Sequence, residues 1–155
     1  MKQENGNRTR RLQLTIESQL DNVPLVGLAV NRICSSVRLS EVGAYQMELS
    51  VVEAVTNAIL HAYEGKNDRE VGVTVEFNDQ WLRFEIRDDG NVMPGGDEFN
   101  RRRPDYDPLD RQSLPESGWG LFLMDAVMDR MEYKSHEGKN VLTLVKNLKQ
   151  VGVKN

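Results

Sequence analysis

Residues 71–86 constrain the fold more than any other part of the chain. Val71, Val73, Val75 and Phe77 alternate with Gly72, Thr74 and Glu76, and Leu82, Phe84 and Ile86 alternate with Arg83 and Glu85. Successive side chains on a strand point to opposite faces, so each run presents one apolar and one polar face. Asn78-Asp79-Gln80 between them is a turn signal, and the two runs read as a β-hairpin. A hairpin with one apolar face needs a second layer to cover it.

The remaining pattern supplies that layer. Residues 12–17 alternate as a half-buried strand, and Asp21 or Asn22 can cap a helix reaching about Val37, with Pro24 in its first turn. Ser40 opens a second helix that runs to about Tyr63 and ends in a turn at 64–68. Residues 89–117 carry Gly90, Pro94, Gly95, Gly96, Pro104, Pro108 and Pro115, which break any regular element; so long a loop in a compact domain is unusual and tends to be functional or disordered. A helix from Trp119 to about Met131 follows, then strands at 132–136 and 140–148 turned at Glu137-Gly138-Lys139. The order predicts an α+β two-layer sandwich, a mixed, mostly antiparallel sheet with helices on one face. Residues 12–148 form its one domain, between tails at 1–11 and 149–155.

A chain of 155 residues with net charge −4 has no dominant basic face, which argues against nonspecific nucleic-acid binding. Arg8, Arg10 and Arg11 read as a solvated run. Cys34 is the single cysteine, excluding an intramolecular disulfide, and its apolar helical setting predicts a buried thiol. No apolar run approaches 18 residues, and the polar N-terminus lacks a secretion signal, so no membrane is expected and cytoplasm is the expected compartment.

Three short motifs carry chemistry. In Glu53-Ala-Val-Thr-Asn57-Ala-Ile-Leu-His61, helical spacing lines up Glu53, Asn57 and His61, while Val51, Val52, Val55, Ile59 and Leu60 supply the packing surface. An amide oxygen can ligate Mg²⁺ beside phosphate oxygens, and a carboxylate one turn away can accept a proton; the alternative is a polar helix face. Asp88-Asp89-Gly90 at a strand end offers an acceptor to a ligand donor, or forms an ordinary turn. Ser117-Gly118-Trp119-Gly120-Leu121 opens a helix with two glycines, a phosphate cradle or a hinge.

In this order and spacing the three motifs resemble the N box and the two glycine boxes of the GHKL (Bergerat-fold) ATPases, over about residues 12–148. The phrases at 53–63, 118–125 and 140–146 resemble the anti-sigma-factor serine/threonine kinase branch. That resemblance implies ATP and Mg²⁺ as ligands. Asn57 would hold Mg²⁺ with the phosphates, Glu53 would be the general base, and Asp88 would accept from the adenine amino group with Gly90 giving the ring room. Gly118 and Gly120, with Leu121 in the same box, would bind phosphates, and 93–117 would be the ATP lid. His61 would orient the lid or satisfy a core hydrogen bond. Two departures stand out: Val92 replaces the second glycine of the usual Asp-x-Gly-x-Gly, and Lys139-Asn140 replaces a common Gly-Thr.

The function implied is phosphorylation of Ser or Thr on a STAS-domain anti-anti-sigma partner in a partner-switching pathway, with a sigma factor as a second partner. A non-catalytic ATP-gated binding module and a detached histidine-kinase catalytic domain are the alternatives. The resemblance also implies a homodimer, with the first strand and first helix, including Leu25, Leu28 and Val30, as the candidate face.

Overall fold

The structure is a computed structural model, and it describes residues 7–96 and 124–148. The hairpin is present: β2 (Glu70–Phe77) and β3 (Trp81–Asp88) pair antiparallel in the register Val73↔Ile86, Val75↔Phe84, Phe77↔Leu82. All seven apolar residues of the two runs are buried, which places one face of the hairpin in the core. The turn is closed by the Asn78 side chain, whose Oδ1 accepts the N–H groups of Gln80 at 2.8 Å and Trp81 at 3.1 Å.

Around this pair stand β1 (Arg10–Glu17), β4 (Arg130–His136) and β5 (Lys139–Asn147), giving a five-stranded sheet in the order β1-β2-β3-β5-β4. Every adjacent pair is antiparallel. The expected mixed sheet is therefore corrected among the described residues. β3 and β4 do run parallel, but β5 lies between them because the short turn at 137–138 folds it back beside both.

Helix α1 (Val23–Cys34) and helix α2 (Glu41–Asn57) cover one face. Pro24 lies in the first turn of α1, where its missing N–H costs nothing. Ser40 caps α2, its hydroxyl accepting the Gly43 N–H at 3.0 Å. Val23, Val26 and Val30 of α1 and Met47, Val51 and Val55 of α2 meet the apolar side of β2 and β3, with Leu142 and Leu144 of β5. The other face is a charged lattice, with Arg11 paired to Glu76, Arg83 and Arg87 to Glu85, and Arg130 and Lys134 to Glu132. This is an α+β two-layer sandwich.

Four boundaries differ from the sequence reading. β1 begins at Arg10, so Arg10 and Arg11 belong to the sheet and not to a tail; they pair with Phe77 and Glu76. α1 ends at Cys34 rather than Val37, where Ser35 and Ser36 hydroxyls donate back to Asn31 and Ile33 carbonyls at 2.8 and 2.6 Å and close the last turn. α2 is regular to Asn57 and then widens into a π-helical turn at Ala58–Ala62. The helix expected to reach Met131 is described only at 124–127, and Arg130 and Met131 already belong to β4. Strand pairing with β5, at Arg130↔Val145, overrides helical periodicity there.

Candidate functional site

A cleft of about 960 Å³ opens where the C-terminal part of α2 faces the Asp88 end of the sheet. The periodicity of α2 sets its first wall. Ala54 and Ala58 are small and buried against the core, and Glu53 and Asn57, half-buried, line the cleft one turn apart. Leu60 also lines the cleft and is 44% exposed, which corrects its placement among the packing residues. It follows Glu53 by seven residues, two helical turns, and so shares the Glu53 face.

The helix end is wide. The Tyr63 N–H donates to Ala58 O at 3.0 Å, a bond spanning five residues, and the Gly65 N–H donates to Ile59 O at 2.9 Å. The Ala62 carbonyl then accepts the Asn91 N–H at 2.8 Å, which ties the helix to the loop after β3. Gly90 makes this approach possible, since a Cβ there would fall 2.6 Å from the Ala62 carbonyl carbon and 2.9 Å from Tyr63 Cδ1. Its missing side chain is thus required by the helix end, a reason the sequence did not reveal. Tyr63 clamps the same loop. Its buried hydroxyl donates to Asp89 Oδ1 at 2.8 Å, contacts the Glu70 carbonyl and accepts the Asp89 N–H at 3.1 Å.

Asp88 closes the far end. Its Oδ1 accepts the Gly90 N–H at 3.0 Å and the Asn140 side-chain N–H at 2.8 Å. Asn140 Nδ2 also reaches the carbonyls of Gly90 at 3.0 Å and Asn91 at 3.3 Å. Asn140 is therefore a clasp that fixes Asp88 and its loop together. Asn140 Oδ1 is buried with no hydrogen-bond partner, so the clasp binds through its amide hydrogens alone. Desolvation by burial raises the Asp88 pKa, against the hydrogen bonds from Asn140 and Gly90 that favour the anion.

Between these polar ends the walls are apolar: Ile86 and Leu142 from the sheet, Val92 and Met93 from the loop. The Met93 N–H donates to the Tyr133 hydroxyl at 2.9 Å, and Gly96 packs so tightly that a Cβ would lie 2.6 Å from Tyr133 Cε1. A planar heterocycle fits such walls, with Asp88 as acceptor for an amino group.

Sequence reading thus placed Glu53, Asn57 and Asp88 around one space, and the structure brings them together there. Gly90 lies behind it, against the helix end. Gly118, Gly120, Leu121 and lid residues 97–117 lie outside the described residues. His61 lines the cleft, solvent-exposed and without a hydrogen bond among the described residues, which sets it apart from the core role considered for it. Sequence reasoning missed Leu60, Tyr63 and Tyr133 as parts of the site, whereas Met93, the first residue of the expected lid, does line the cleft. The seven-residue spacing from Glu53 could have found Leu60; the tyrosines are joined to the loop by tertiary contacts alone.

The residues fit a magnesium nucleotide. Among the described residues neither Glu53 nor Asn57 has a side-chain hydrogen-bond or ion-pair partner, which leaves the amide and carboxylate facing the cleft. Among the described residues no group of three or more His, Cys, Asp or Glu is placed to hold a metal alone. A single hard oxygen from Asn57 suits Mg²⁺, which keeps waters and takes most of its other ligands from phosphates.

Comparisons with known proteins place the chain in a family. The family described as "Histidine kinase-like ATPase domain" matches residues 16–146. The serine-protein kinase RsbW of Bacillus velezensis is 27% identical over 134 residues, covering 84% of this chain and 81% of the relative. The protein of the same name from Listeria innocua is 27% identical over 146 residues, covering 91% and 90%. Among solved structures, the RsbU and RsbW domains of a Mycobacterium tuberculosis protein superpose with a TM-score of 0.61 at 15% identity. That match covers 88% of this chain and 32% of the other, and so speaks to the fold. No helix among the described residues is long and apolar enough to cross a membrane. With its family matched across most of its length, the chain belongs to the histidine kinase-like ATPase domain family.

Proposed function

We propose that this chain is an ATP-dependent serine/threonine-protein kinase of the anti-sigma-factor kind, which phosphorylates a STAS-domain anti-anti-sigma partner and, in its other state, holds a sigma factor. The observation that carries the reading is the pairing of two unpartnered groups, Glu53 and Asn57, one turn apart on the cleft that Asp88 closes. The names of the relatives, serine-protein kinases, support it.

Phosphoryl transfer depends mainly on positioning and charge neutralisation. Asp88, oriented by Asn140, accepts from the adenine amino group, while Ile86, Leu142 and Met93 hold the ring. Asn57 would supply an amide oxygen to Mg²⁺, and the ion would neutralise phosphate charge. Glu53 accepts the proton of the partner's hydroxyl as its oxygen attacks the γ-phosphorus. The bond to the β-phosphate oxygen then breaks, and ADP leaves with that electron pair. Gly118, Gly120 and Leu121 would bind phosphates, and 93–117 would cover the nucleotide. Leu25 and Leu28 remain exposed as candidates for a homodimer face, whereas Val30 is fully buried and drops out of it.

The test is transfer of labelled γ-phosphate to a cognate STAS protein. Wild type yields acid-stable phosphoserine or phosphothreonine, Glu53→Gln retains nucleotide binding but loses transfer, and Asn57→Ala loses both. Nucleotide-dependent complex formation without any transfer would replace the kinase with a binding module. An acid-labile product on a separate helical protein would replace it with a histidine kinase.

A further inference from the structure

The end of the sheet opposite Asp88 carries a second concavity. It has a volume of about 290 Å³ and is lined by Arg8, Arg10, Arg38, Ser36, Asn78 and Asp79, among others. Three parts of the chain build it: the approach to β1, the turn between α1 and α2, and the β2–β3 turn. The pairing Trp81↔Asn147 marks this end of the sheet and Asp88↔Asn140 the other, so the two cavities sit at opposite ends of β3.

Its arginines are unlike the rest. Arg11, Arg69, Arg83, Arg87 and Arg130 each have a carboxylate partner. Among the described residues the arginines without an ion pair are Arg8, Arg10, Arg32 and Arg38, and three of these four meet at this one concavity. Asp79 is on the rim but pairs with none of them. Arg10 is held in place, its guanidinium carbon 5.6 Å from the centre of the Phe77 ring. Asn78 is fixed by its turn, with Nδ2 donating to Thr9 Oγ1 at 3.3 Å. Like charges brought to one pocket repel, and in a chain of net charge −4 a local excess of cation stands out. A guanidinium presents a planar fork of donors that matches phosphate oxygens in a bidentate manner.

We propose that this pocket binds a phosphate group, free or esterified to a polypeptide, at a site separate from the nucleotide cleft. Arg8, Arg10 and Arg38 supply the donors. The site stands on its own geometry and does not require the kinase reading.

The experiment is NMR titration of the full chain, reading backbone amides and arginine Nε–H groups, at constant ionic strength. The probes are inorganic phosphate, the peptide Gly-phosphoserine-Gly and unphosphorylated Gly-Ser-Gly, the last expected to cause no change. The expected result is saturable shifts at Arg10, Ser36, Arg38 and Asn78, with Arg10→Gln or Arg38→Gln weakening binding about tenfold or more and Arg38→Lys weakening it less. Tighter binding of the phosphopeptide than of phosphate assigns the ligand to a phosphoprotein; equal or weaker binding assigns it to free phosphate. Linear, unsaturable shifts, shifts confined to Asn57 and Asn91, or shifts unchanged in both glutamine variants overturn the proposal.

Discussion

Asn140→Ala tests whether one side chain holds the Asp88 end of the cleft together. The substitution removes the bonds from Nδ2 to Asp88 Oδ1 at 2.8 Å, Gly90 O at 3.0 Å and Asn91 O at 3.3 Å. A bond to a carboxylate contributes about 1.5–3 kcal/mol net and a neutral one about 0.5–1.5. The 3.3 Å contact is weak, and removing the unpartnered Asn140 Oδ1 returns about 1 kcal/mol. The expected loss is about 2–3 kcal/mol, or roughly 1–1.5 M in urea midpoint for a slope near 2 kcal/mol/M. Urea unfolding followed by tryptophan fluorescence reads it, and titration with an ATP analogue reads the looser Asp88 as weaker affinity. Asn140→Asp sharpens the test: it keeps the shape but sets an anion against Asp88 and two carbonyls, so near pH 8 it should lose more than alanine. A loss below about 0.5 kcal/mol for alanine, or an aspartate variant as stable as the alanine one, refutes the clasp.

Gly90→Ala forces the loop off Ala62 and breaks the Asn91–Ala62 bond, with an expected cost of about 2–4 kcal/mol in the same unfolding assay. Burial pushes the Cys34 thiol up from 9.0 to about 12. Between those values the unfolded chain releases a proton that the native state keeps, so stability falls with rising pH by up to about 1.4 kcal/mol per unit. Cys34→Ala should remove that slope between pH 9 and 10, below the range where Tyr63, raised to about 12, adds its own. The raised Asp88 pKa predicts that adenine-nucleotide affinity is flat above it and falls as pH drops through it, because the protonated acid loses acceptor strength. Calorimetry over a series of falling pH checks this, and Asp88→Asn should abolish that acid limb.

Most of the fold was legible because its signals are local. The alternation at 71–86, the Asn78 turn, the Ser40 cap and Pro24 each act within a few residues, and each is where the sequence put it. Legibility failed where a partner distant in sequence decides. β1 starts at Arg10 because Phe77 and Glu76 extend the ladder to Arg10 and Arg11, and β4 starts at Arg130 because Val145 pairs with it. The site divides in the same way. Glu53 and Asn57 are set by helical spacing and Asp88 by a strand end, all visible in the sequence. Asn140, Tyr63 and Tyr133 enter through contacts spanning 26 to 52 residues, which no local pattern encodes.

The π turn at Ala58–Ala62 has a mechanical consequence. It leaves the Ala62 carbonyl free to take the Asn91 N–H, so the helix carrying Asn57 and the loop following Asp88 are bolted across one hydrogen bond. Strain introduced at the Asn57 end of the cleft therefore reaches the Asp88 end without crossing the sheet. The Asn91 amide is the gauge of that linkage: its hydrogen exchange should slow when nucleotide seats and quicken when the turn is disturbed by substitution at Gly90.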